Sequence, residues 1–348
     1  MSRIGPGNLI SEGAKKPPFW RRPLYRGVQK VQRAVCGRVF IDPGGDQHAT
    51  VYVAGGGKSG TTWLAELINY RNEYRYMWEP LTPPRVPLFW HFVRGQYLRP
   101  ENRDPRYAEP LRALVTGRLR HPWVDHLNCS PFPSQRLIKD VHANLMLGWF
   151  HRNLPGLRIV FIIRHPLAVL VSRMDSAPVV PFHEFDPSLE RFLEQKDLVE
   201  DFLEPFTELL RSARSLVEQH ALWWCVEHFV PLSQFRPTDI HIVFYERLRS
   251  CPEEEIPRLA RYLDTEIDQS VYAKMRRPSR TAGYGNSLSR GIDPATAWRR
   301  RLSRADVRQA MRVLNRFGLD VVYDEEPNPH TDGLLTFMGD TQALLQPA

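Results

Sequence analysis

Cysteine is scarce in this chain of 348 residues, and its four cysteines lie far apart in the sequence. None of them belongs to a CxxC pair or has a histidine at a metal-ligand spacing: Cys36, Cys129, Cys225 and Cys251. These spacings argue against a zinc site and a disulfide framework, and they suit a reducing compartment. We therefore expect four small buried side chains.

Long apolar runs are also missing. The longest, such as IVFII at 159–163, is far shorter than the about 20 residues that a membrane-spanning helix needs. The first residues contain no apolar stretch typical of a secretory signal. Together these absences predict a soluble, cytoplasmic protein.

Acidic residues are outnumbered by basic ones, 39 to 47, which gives a formal net charge of +8. A basic balance favours anionic partners such as nucleotides, acidic polymers or an anionic membrane surface. Because the basic residues are dispersed along the chain, we expect no nucleic-acid partner. A composition of 42% hydrophobic and 25% charged residues is that of a globular protein with a substantial core.

Composition divides the chain into three parts. Residues 1–48 are predicted to form a basic arm, whose stretch KKPPFWRRPLYRGVQKVQRAV either wraps the domain or lies on an anionic membrane surface. Residues 49–329 are predicted to form a single domain, with acceptor-side insertions at 75–135 and 175–235. Residues 330–348 are predicted to be a C-terminal tail.

Strand and helix patterns alternate within this domain. The predicted strands cover 50–55, 136–140, 157–163 and 241–248, and the predicted helices cover 59–71, 142–153, 165–174, most of 188–232, and 252–263. Such alternation predicts an α/β fold with a parallel central sheet flanked by helices.

The stretch VYVAGGGKSGTTWL at 51–64 has the properties of a phosphate-binding loop. Its glycines let the backbone approach an anion closely, and the following helix begins with free N–H groups that favour negative charge. Lys58 adds a positive charge, and the nearby hydroxyl groups add donors. A triphosphate loop of the form G-x-x-x-x-G-K-[ST] would need glycine where Tyr52 stands. An ATP- and magnesium-dependent kinase therefore remains only as an alternative, with Glu246 as its candidate metal ligand.

A second anion-binding feature follows the predicted strand LRIVFII. Arg164 stands at its carboxyl end, where a guanidinium group can bind phosphate through two hydrogen bonds. Ser172 follows eight residues later, close to two turns of a helix. Taken singly, each residue also fits an arginine at the sheet edge and a serine packed in a helix.

In combination these motifs resemble the sulfotransferases that use 3′-phosphoadenosine 5′-phosphosulfate. GGGKSGTTWL is similar to the family's 5′-phosphosulfate loop, and RIVFIIRHPLAVLVSR is similar to its 3′-phosphate motif. Further similarities appear in order along the chain, in MWEPL (77–81), RLIKDVHANLML (136–147), VFYERL (243–248) and Trp298…FGLDVVYDEEPNP (317–329). The resemblance implies a P-loop, nucleotide-kinase-like sulfotransferase fold and no required metal.

The resemblance also implies roles for individual residues. Lys58 is expected to stabilise the leaving phosphate oxygen, and Lys139 either reaches the sulfuryl oxygens or is an ordinary lysine. Arg280 either adds a donor contact or belongs to a basic loop without that role. The expected donor-binding residues are Lys58, Ser59, Gly60, Thr61, Thr62, Trp63, Arg164, Ser172 and Arg280.

Two residues are candidates for the general base that an acceptor hydroxyl needs. Glu79 in MWEPL resembles the Glu-Pro site of carbohydrate-type sulfotransferases, to which the motifs are closest. His142 in KDVH resembles the K-x-H of the phenol and steroid enzymes but has one residue too many, which would turn its side chain by about 100° on a helix. We prefer Glu79. His165 stands where the family often has Asp, a better helix cap than His.

The acceptor class is the least defined part of the sequence. The Glu-Pro motif favours a saccharide, glycolipid or glycosylated metabolite, on which aromatic side chains can stack: Trp78, Phe89, Trp90, Phe92 and Trp123. A phenol or a lipid alcohol is the alternative acceptor. A non-catalytic anion-binding module is a further alternative of a different class.

Overall fold

Five parallel strands form the central sheet. The computed structural model describes residues 35–176, 188–281 and 291–345. The strands are β1 (Thr50–Ala54), β2 (Tyr74–Trp78), β3 (Gln135–Lys139), β4 (Arg158–Ile163) and β5 (His241–Phe244). They are arranged in the order β2-β3-β1-β4-β5, and every neighbouring pair is parallel. The predicted α/β fold is confirmed.

Helices of varied length connect the strands. The α-helices are α1 (Thr61–Ile68), α2 (Pro105–Val115), α3 (Pro122–Asp125), α4 (Leu147–Asn153), α5 (Pro166–Ser176), α6 (Glu190–Leu193), α7 (Lys196–Leu198), α8 (Thr207–Ser212), α9 (Leu216–Gln234), α10 (Tyr245–Ser250), α11 (Pro252–Leu263), α12 (Ser270–Met275), α13 (Arg304–Arg316) and α14 (Thr331–Leu345). Shorter 3₁₀ and π turns lie at Pro87–Phe89, Asn144–Met146, Val199–Leu203, Glu204–Phe206, Ala297–Arg300 and Leu319–Val321. None of the helices described here is long and apolar enough to cross a membrane.

Both faces of the sheet are covered, as alternation along β1 shows. Val51 and Val53 point into a core that they share with α1 and α11. Tyr52 and Ala54 point into a larger core formed with α4, α5, α9, α13 and α14. A parallel strand that is buried on both faces must be apolar throughout, which is why β1 was recognisable from its sequence.

The edge strand β2 was not predicted, because Arg75 interrupts its apolar pattern. This arginine is completely buried, and all five of its N–H groups donate hydrogen bonds. Their acceptors are the carboxylates of Asp42 and Asp125 and the carbonyl oxygens of Gly117 and Leu119. Arg75 can be buried in this strand because its charge is paired and all its hydrogen-bond donors have acceptors there.

The strand predicted at 241–248 is shorter than expected. Its last paired residue is Phe244, which lies opposite Ile163, the final residue of β4. Beyond that pair β5 has no neighbour to continue the ladder, so the chain turns into α10.

Both ends of the described chain pack on the domain. Asp42, which the sequence places in the arm, pairs with Arg136 at 2.7 Å as well as with Arg75. Residues 331–345, predicted as a tail, form α14, and its Leu334 and Met338 are buried in the larger core. The rest of the predicted arm, residues 1–34, lies outside the described residues.

We expect Arg75→Met to lower the free energy of unfolding by about 3–5 kcal/mol, since it leaves the buried carboxylate of Asp125 without a counter-charge. Urea unfolding followed by circular dichroism measures this change. Arg71→Met is the matched control, because Arg71 pairs with Asp268 at 2.7 Å on the exposed surface and should matter little. Equal stability of the two variants would contradict a structural role for the Arg75 network.

Candidate functional site

The candidate site lies at the carboxyl ends of three neighbouring strands. Lys139, the last residue of β3, is paired in register with Val53 of β1 and with Trp78 of β2. Glu79 follows directly after β2, and the glycine-rich loop follows directly after β1. Parallel pairing therefore brings residues that are far apart in sequence to one edge of the sheet, where α/β proteins commonly bind ligands.

The loop after β1 closes tightly and leads into α1. The N–H of Ser59 donates to the carbonyl oxygen of Gly56 at 3.0 Å, and Lys58 has a left-handed backbone with φ of 75°. Thr61 and Thr62 open α1 and are buried. The Ser59 hydroxyl is buried and has no hydrogen-bond partner among the described residues. An unsatisfied buried donor beside a helix N-terminus fits an anionic ligand.

Three glycines of this loop have no room for a side chain, and a Cβ on the first of them, Gly55, would lie 2.6 Å from the carbonyl oxygen of Ile162. A Cβ on Gly60, whose φ is 97°, would lie 2.7 Å from the ring of Tyr245. A Cβ on Gly56 would lie 2.7 Å from Glu227 and 3.3 Å from Arg173. The glycines are therefore needed because other parts of the chain pack directly against the loop.

Arg173 and Glu227 form a buried ion pair of 2.8 Å that supports the loop. Nε of Arg173 also donates to the carbonyl oxygen of Gly57 at 3.2 Å. Sequence reasoning missed both residues, because they are 54 positions apart and neither stands out locally. The only available signal was that Arg173 follows the predicted Ser172.

Arg164 lies immediately after β4 and reaches back to the loop. Its Nη1 donates to the carbonyl oxygen of Lys58 at 2.9 Å, and its Nη2 to that of Pro294 at 2.7 Å. The guanidinium stacks over Tyr245 at 4.4 Å, while Nε is buried without a partner among the described residues. Arg164 thus contacts the phosphate loop directly, and its role in donor binding stays a prediction.

The other predicted donor contacts are less closely placed. Trp63 packs against Tyr245 with ring centroids 5.3 Å apart. Ser172 lies half-buried on α5, one residue before the arginine that contacts Gly57. Arg280 pairs with Glu66 of α1 at 3.1 Å, so its charge is engaged by a helix side chain. The roles of Ser172 and Arg280 in donor binding stay predictions.

Glu79 and Lys139 form an ion pair next to the phosphate loop. The backbone holds Glu79 in place: its N–H donates to Lys139, and its carbonyl accepts from Thr82 and Trp123. Its φ of 36° is unusual for a residue with a side chain. Burial alone would raise the pKa of Glu79, but the ammonium of Lys139 holds that pKa below its ordinary value.

His142 lies in a turn before α4 rather than on a helix, because its N–H donates to Asp140 at 2.7 Å. The helix that was predicted from residue 142 therefore begins after it. Because His142 is not on a helix, the 100° turn of its side chain that a helix would impose does not apply. Burial lowers the pKa of His142 to about 4, so the ring is neutral near pH 7. Its Nδ1 is buried with no hydrogen-bond partner among the described residues. Burial also raises the pKa of the neighbouring Asp140 to about 7.

The structure shows what His165 and Glu246 contact, the two residues whose roles the sequence left open. His165 does cap α5, since its Nδ1 accepts the N–H of Leu167 at 3.2 Å, and its ring stacks on Trp298 at 5.1 Å. Glu246 accepts the His165 N–H at 2.9 Å and the Tyr323 hydroxyl at 2.8 Å. Both carboxylate oxygens of Glu246 are therefore occupied in joining β4, β5 and the closing segment.

The described ranges contain no group of three or more histidine, cysteine, aspartate or glutamate residues arranged to hold a metal ion. The four cysteines are free thiols, of which three are buried. The candidate site consists of the phosphate loop, Arg164, and the carboxylate of Glu79 paired with Lys139. Such a set can hold a phosphate-bearing donor and accept a proton from a nucleophile.

A family model described as the sulfotransferase domain matches residues 49–282, more than half of the chain. The matched range contains every residue predicted for the site. No curated protein matches the chain significantly.

Several solved structures resemble this one remotely. The sulfotransferase domain from the curacin biosynthetic pathway is 12% identical, with 83% of this chain and 96% of that chain covered and a TM-score of 0.37. Mouse sulfotransferase SULT7A1 complexed with PAP is 12% identical, with coverages of 90% and 93% and a TM-score of 0.40. Retinol dehydratase in a complex with retinol and PAP is 18% identical, with coverages of 88% and 88% and a TM-score of 0.37. At these values no ligand or acceptor carries over to this chain.

We expect Gly60→Ala to weaken binding of adenosine 3′,5′-bisphosphate by about tenfold or more, because the added methyl group meets Tyr245 and strains the loop. Isothermal titration calorimetry measures the affinity. Gly45→Ala is the matched control: its φ of 89° is similarly left-handed, but a Cβ there has no heavy atom within 4 Å. Unchanged affinity of Gly60→Ala would argue against this loop as the phosphate site.

Proposed function

The chain belongs to the sulfotransferase domain family, and we propose that its acceptor is a hydroxyl group on a carbohydrate, glycolipid or glycosylated metabolite. Membership in this family makes it an enzyme that transfers a sulfuryl group from 3′-phosphoadenosine 5′-phosphosulfate. The observation that supports the acceptor proposal is the Glu79–Lys139 pair beside the phosphate loop. We assign Glu79 as the carboxylate base that accepts the proton of the acceptor hydroxyl.

Buried hydrogen-bond donors without partners at the loop support binding of the donor nucleotide there. The Ser59 hydroxyl and Arg164 Nε are both buried without partners among the described residues, and both are hydrogen-bond donors. We assign Ser59, Thr61, Thr62 and the N-terminus of α1 to the 5′-phosphosulfate, with Lys58 at the leaving oxygen. Arg164 is assigned to the 3′-phosphate, a group that ATP lacks.

The chemistry proposed for Glu79 depends on its neighbour. While Lys139 is paired with it, the pKa of Glu79 stays below its ordinary value, and the carboxylate is a weak base. If Lys139 turns toward the sulfuryl oxygens, burial becomes the dominant influence and raises the pKa of Glu79. The carboxylate then accepts the acceptor proton more readily as the lysine stabilises the developing charge.

Trp123 contacts Glu79, but its ring already has His126 stacked on it at 5.6 Å and Arg85 over it at 5.0 Å. Its indole N–H donates to the carbonyl oxygen of Glu79 at 3.2 Å, and its ring is only partly buried. Two of the other expected stacking residues, Phe89 and Phe92, are core residues that pack on each other at 5.3 Å. Trp78 is buried with Lys139 above its ring at 4.5 Å, and Trp90 is 70% exposed.

A phenol or lipid alcohol acceptor is the second candidate, and His142 favours it. The half-buried imidazole is neutral and its Nδ1 has no partner among the described residues, but burial lowers its pKa to about 4, so it too is a weak base in this state. With His142 as the base, Glu79 would serve to hold Lys139. The kinase alternative loses support, because the sulfotransferase domain family matches residues 49–282. A cytoplasmic location stays a prediction from composition.

We expect Glu79→Gln to reduce turnover by about 10²-fold or more, as for loss of a general base, with no loss of affinity for adenosine 3′,5′-bisphosphate. Transfer of radiolabelled sulfate from the donor to a panel of glycosides, glycolipids and phenols measures turnover. If the parent transfers sulfate, and Glu79→Gln loses this turnover but still binds the bisphosphate, the protein is an enzyme and not a binding module.

His142→Asn is the matched variant at the rival base, and we expect it to retain activity within about tenfold of the parent. Near-parental turnover in Glu79→Gln together with a large loss in His142→Asn would move the base to His142. That result would also favour the phenol or lipid alcohol as acceptor.

A further inference from the structure

Asp140 is a fully buried residue whose carboxylate connects the strand ends around the candidate site. It follows directly after β3, and its N–H donates to the carbonyl oxygen of Val53 in β1 at 3.0 Å. One carboxylate oxygen accepts the N–H of Leu81, in the loop after β2, at 2.9 Å, and the other accepts the N–H of His142 at 2.7 Å. A single side chain therefore joins the segment that follows Glu79 to the turn that contains His142.

The charge of Asp140 has no counter-charge of its own. Lys139, its neighbour in the sequence, pairs with Glu79 instead, and Asp140 forms no ion pair with any residue that the structure describes. A carboxylate buried in this way is unfavourable unless hydrogen bonds satisfy it. An asparagine would close the local turn with one hydrogen bond. A carboxylate adds a second, equivalent acceptor oxygen, so it can hold two N–H groups from different segments at once.

The backbone that needs to be held is that of Glu79. Its φ of 36° is strained for a residue with a side chain, and such a conformation persists only where the surrounding structure enforces it. On the amino side, the Glu79 N–H donates to the carbonyl oxygen of Lys139 at 2.7 Å. On the carboxyl side, Pro80 has a fixed φ, so the hydrogen bond from Leu81 to Asp140 leaves the backbone at Glu79 little freedom to rotate.

We propose that ionised Asp140 is a positioning residue, which holds Glu79 in the orientation from which its carboxylate accepts the proton of the acceptor. This inference rests on the proposed role of Glu79 as the base. Protonation of Asp140 turns one acceptor oxygen into a donor, so only one of the two N–H groups stays bonded. The bond to His142 is local to the turn and is kept, whereas the bond to Leu81 is lost. Glu79 is then misplaced, and a displacement of about 1 Å can cost ~10²-fold in rate.

Activity should therefore depend on pH near neutrality. Burial raises the pKa of Asp140 to about 7, and the groups around it are Tyr52 on β1, Glu79 after β2, Lys139 on β3 and His142 in the turn. In the free enzyme Lys139 holds the pKa of Glu79 below its ordinary value, burial lowers the pKa of His142 to about 4, and burial raises the pKa of Tyr52 well above its ordinary value. Because Asp140 acts in its ionised form, kcat/KM, which reports on the free enzyme, should rise with pH through about 7.

Asp140→Asn tests the proposal, because the amide keeps one acceptor oxygen and replaces the other with a donor. With the panel compound that the parent sulfates fastest, we expect kcat to fall at least about tenfold, while affinity for adenosine 3′,5′-bisphosphate stays within about twofold of the parent. The rise in kcat/KM near pH 7 should be absent from this variant. Asp46→Asn is the matched control and should behave like the parent: Asp46 accepts the N–H of His48 at 2.8 Å in a similar turn, but it is exposed and precedes β1.

Hydrogen–deuterium exchange followed by mass spectrometry gives a second measurement, which needs no acceptor. At about pH 8 the peptide that contains Leu81 should exchange at least about tenfold faster in Asp140→Asn than in the parent, because its N–H has lost a charged acceptor. The peptide that covers residues 140–144 should exchange as in the parent, because the bond to His142 is kept.

Unchanged exchange at Leu81 would overturn the inference. So would a parent whose kcat/KM does not rise near pH 7, a result that does not require the variant to fold. A large loss of turnover in Glu79→Gln with none in Asp140→Asn would overturn this inference and leave the proposed function standing. Near-parental turnover in Glu79→Gln would overturn the proposed base, and this inference with it.

Discussion

Parallel pairing of β1 with β3 and β4 is the constraint on which the site depends. It places the phosphate loop, Lys139 and Arg164 at one edge of the sheet, each directly after or at the end of a strand. The strands are buried on both faces, so their register is fixed by two cores at once. A shift of one residue would bury a different set of side chains and separate the site residues from one another.

Charge inside the domain is tolerated because it is paired locally. Arg75 has two carboxylates, Arg173 has Glu227, and Lys139 has Glu79. The first two pairs are almost completely buried and support the fold and the loop, whereas the third retains some exposure at Glu79. The partly exposed pair is the one that a bound donor can rearrange, which is why we place the chemistry there.

The sequence was informative where a single stretch contained the whole signal. Apolar runs defined β1 and β4, and local motifs pointed to Lys58, Glu79 and Arg164, which lie at the carboxyl ends of neighbouring strands. It was uninformative where the explanation lies in a distant partner, as in β2, whose Arg75 is neutralised by residues 33 and 50 positions away. Tyr245 was part of a predicted strand, and only the packed structure shows that its ring supports both Gly60 and Arg164.

We infer that the glycine-rich loop and Arg164 bind a donor with a 3′-phosphate. The most direct test is thermal unfolding of the protein with adenosine 3′,5′-bisphosphate and, separately, with ATP and Mg²⁺. A ligand at about a hundred times its dissociation constant stabilises a protein by ~2.7 kcal/mol, which raises the melting temperature by several degrees. We expect that increase with the bisphosphate alone. An increase only with ATP and Mg²⁺ would contradict the claim.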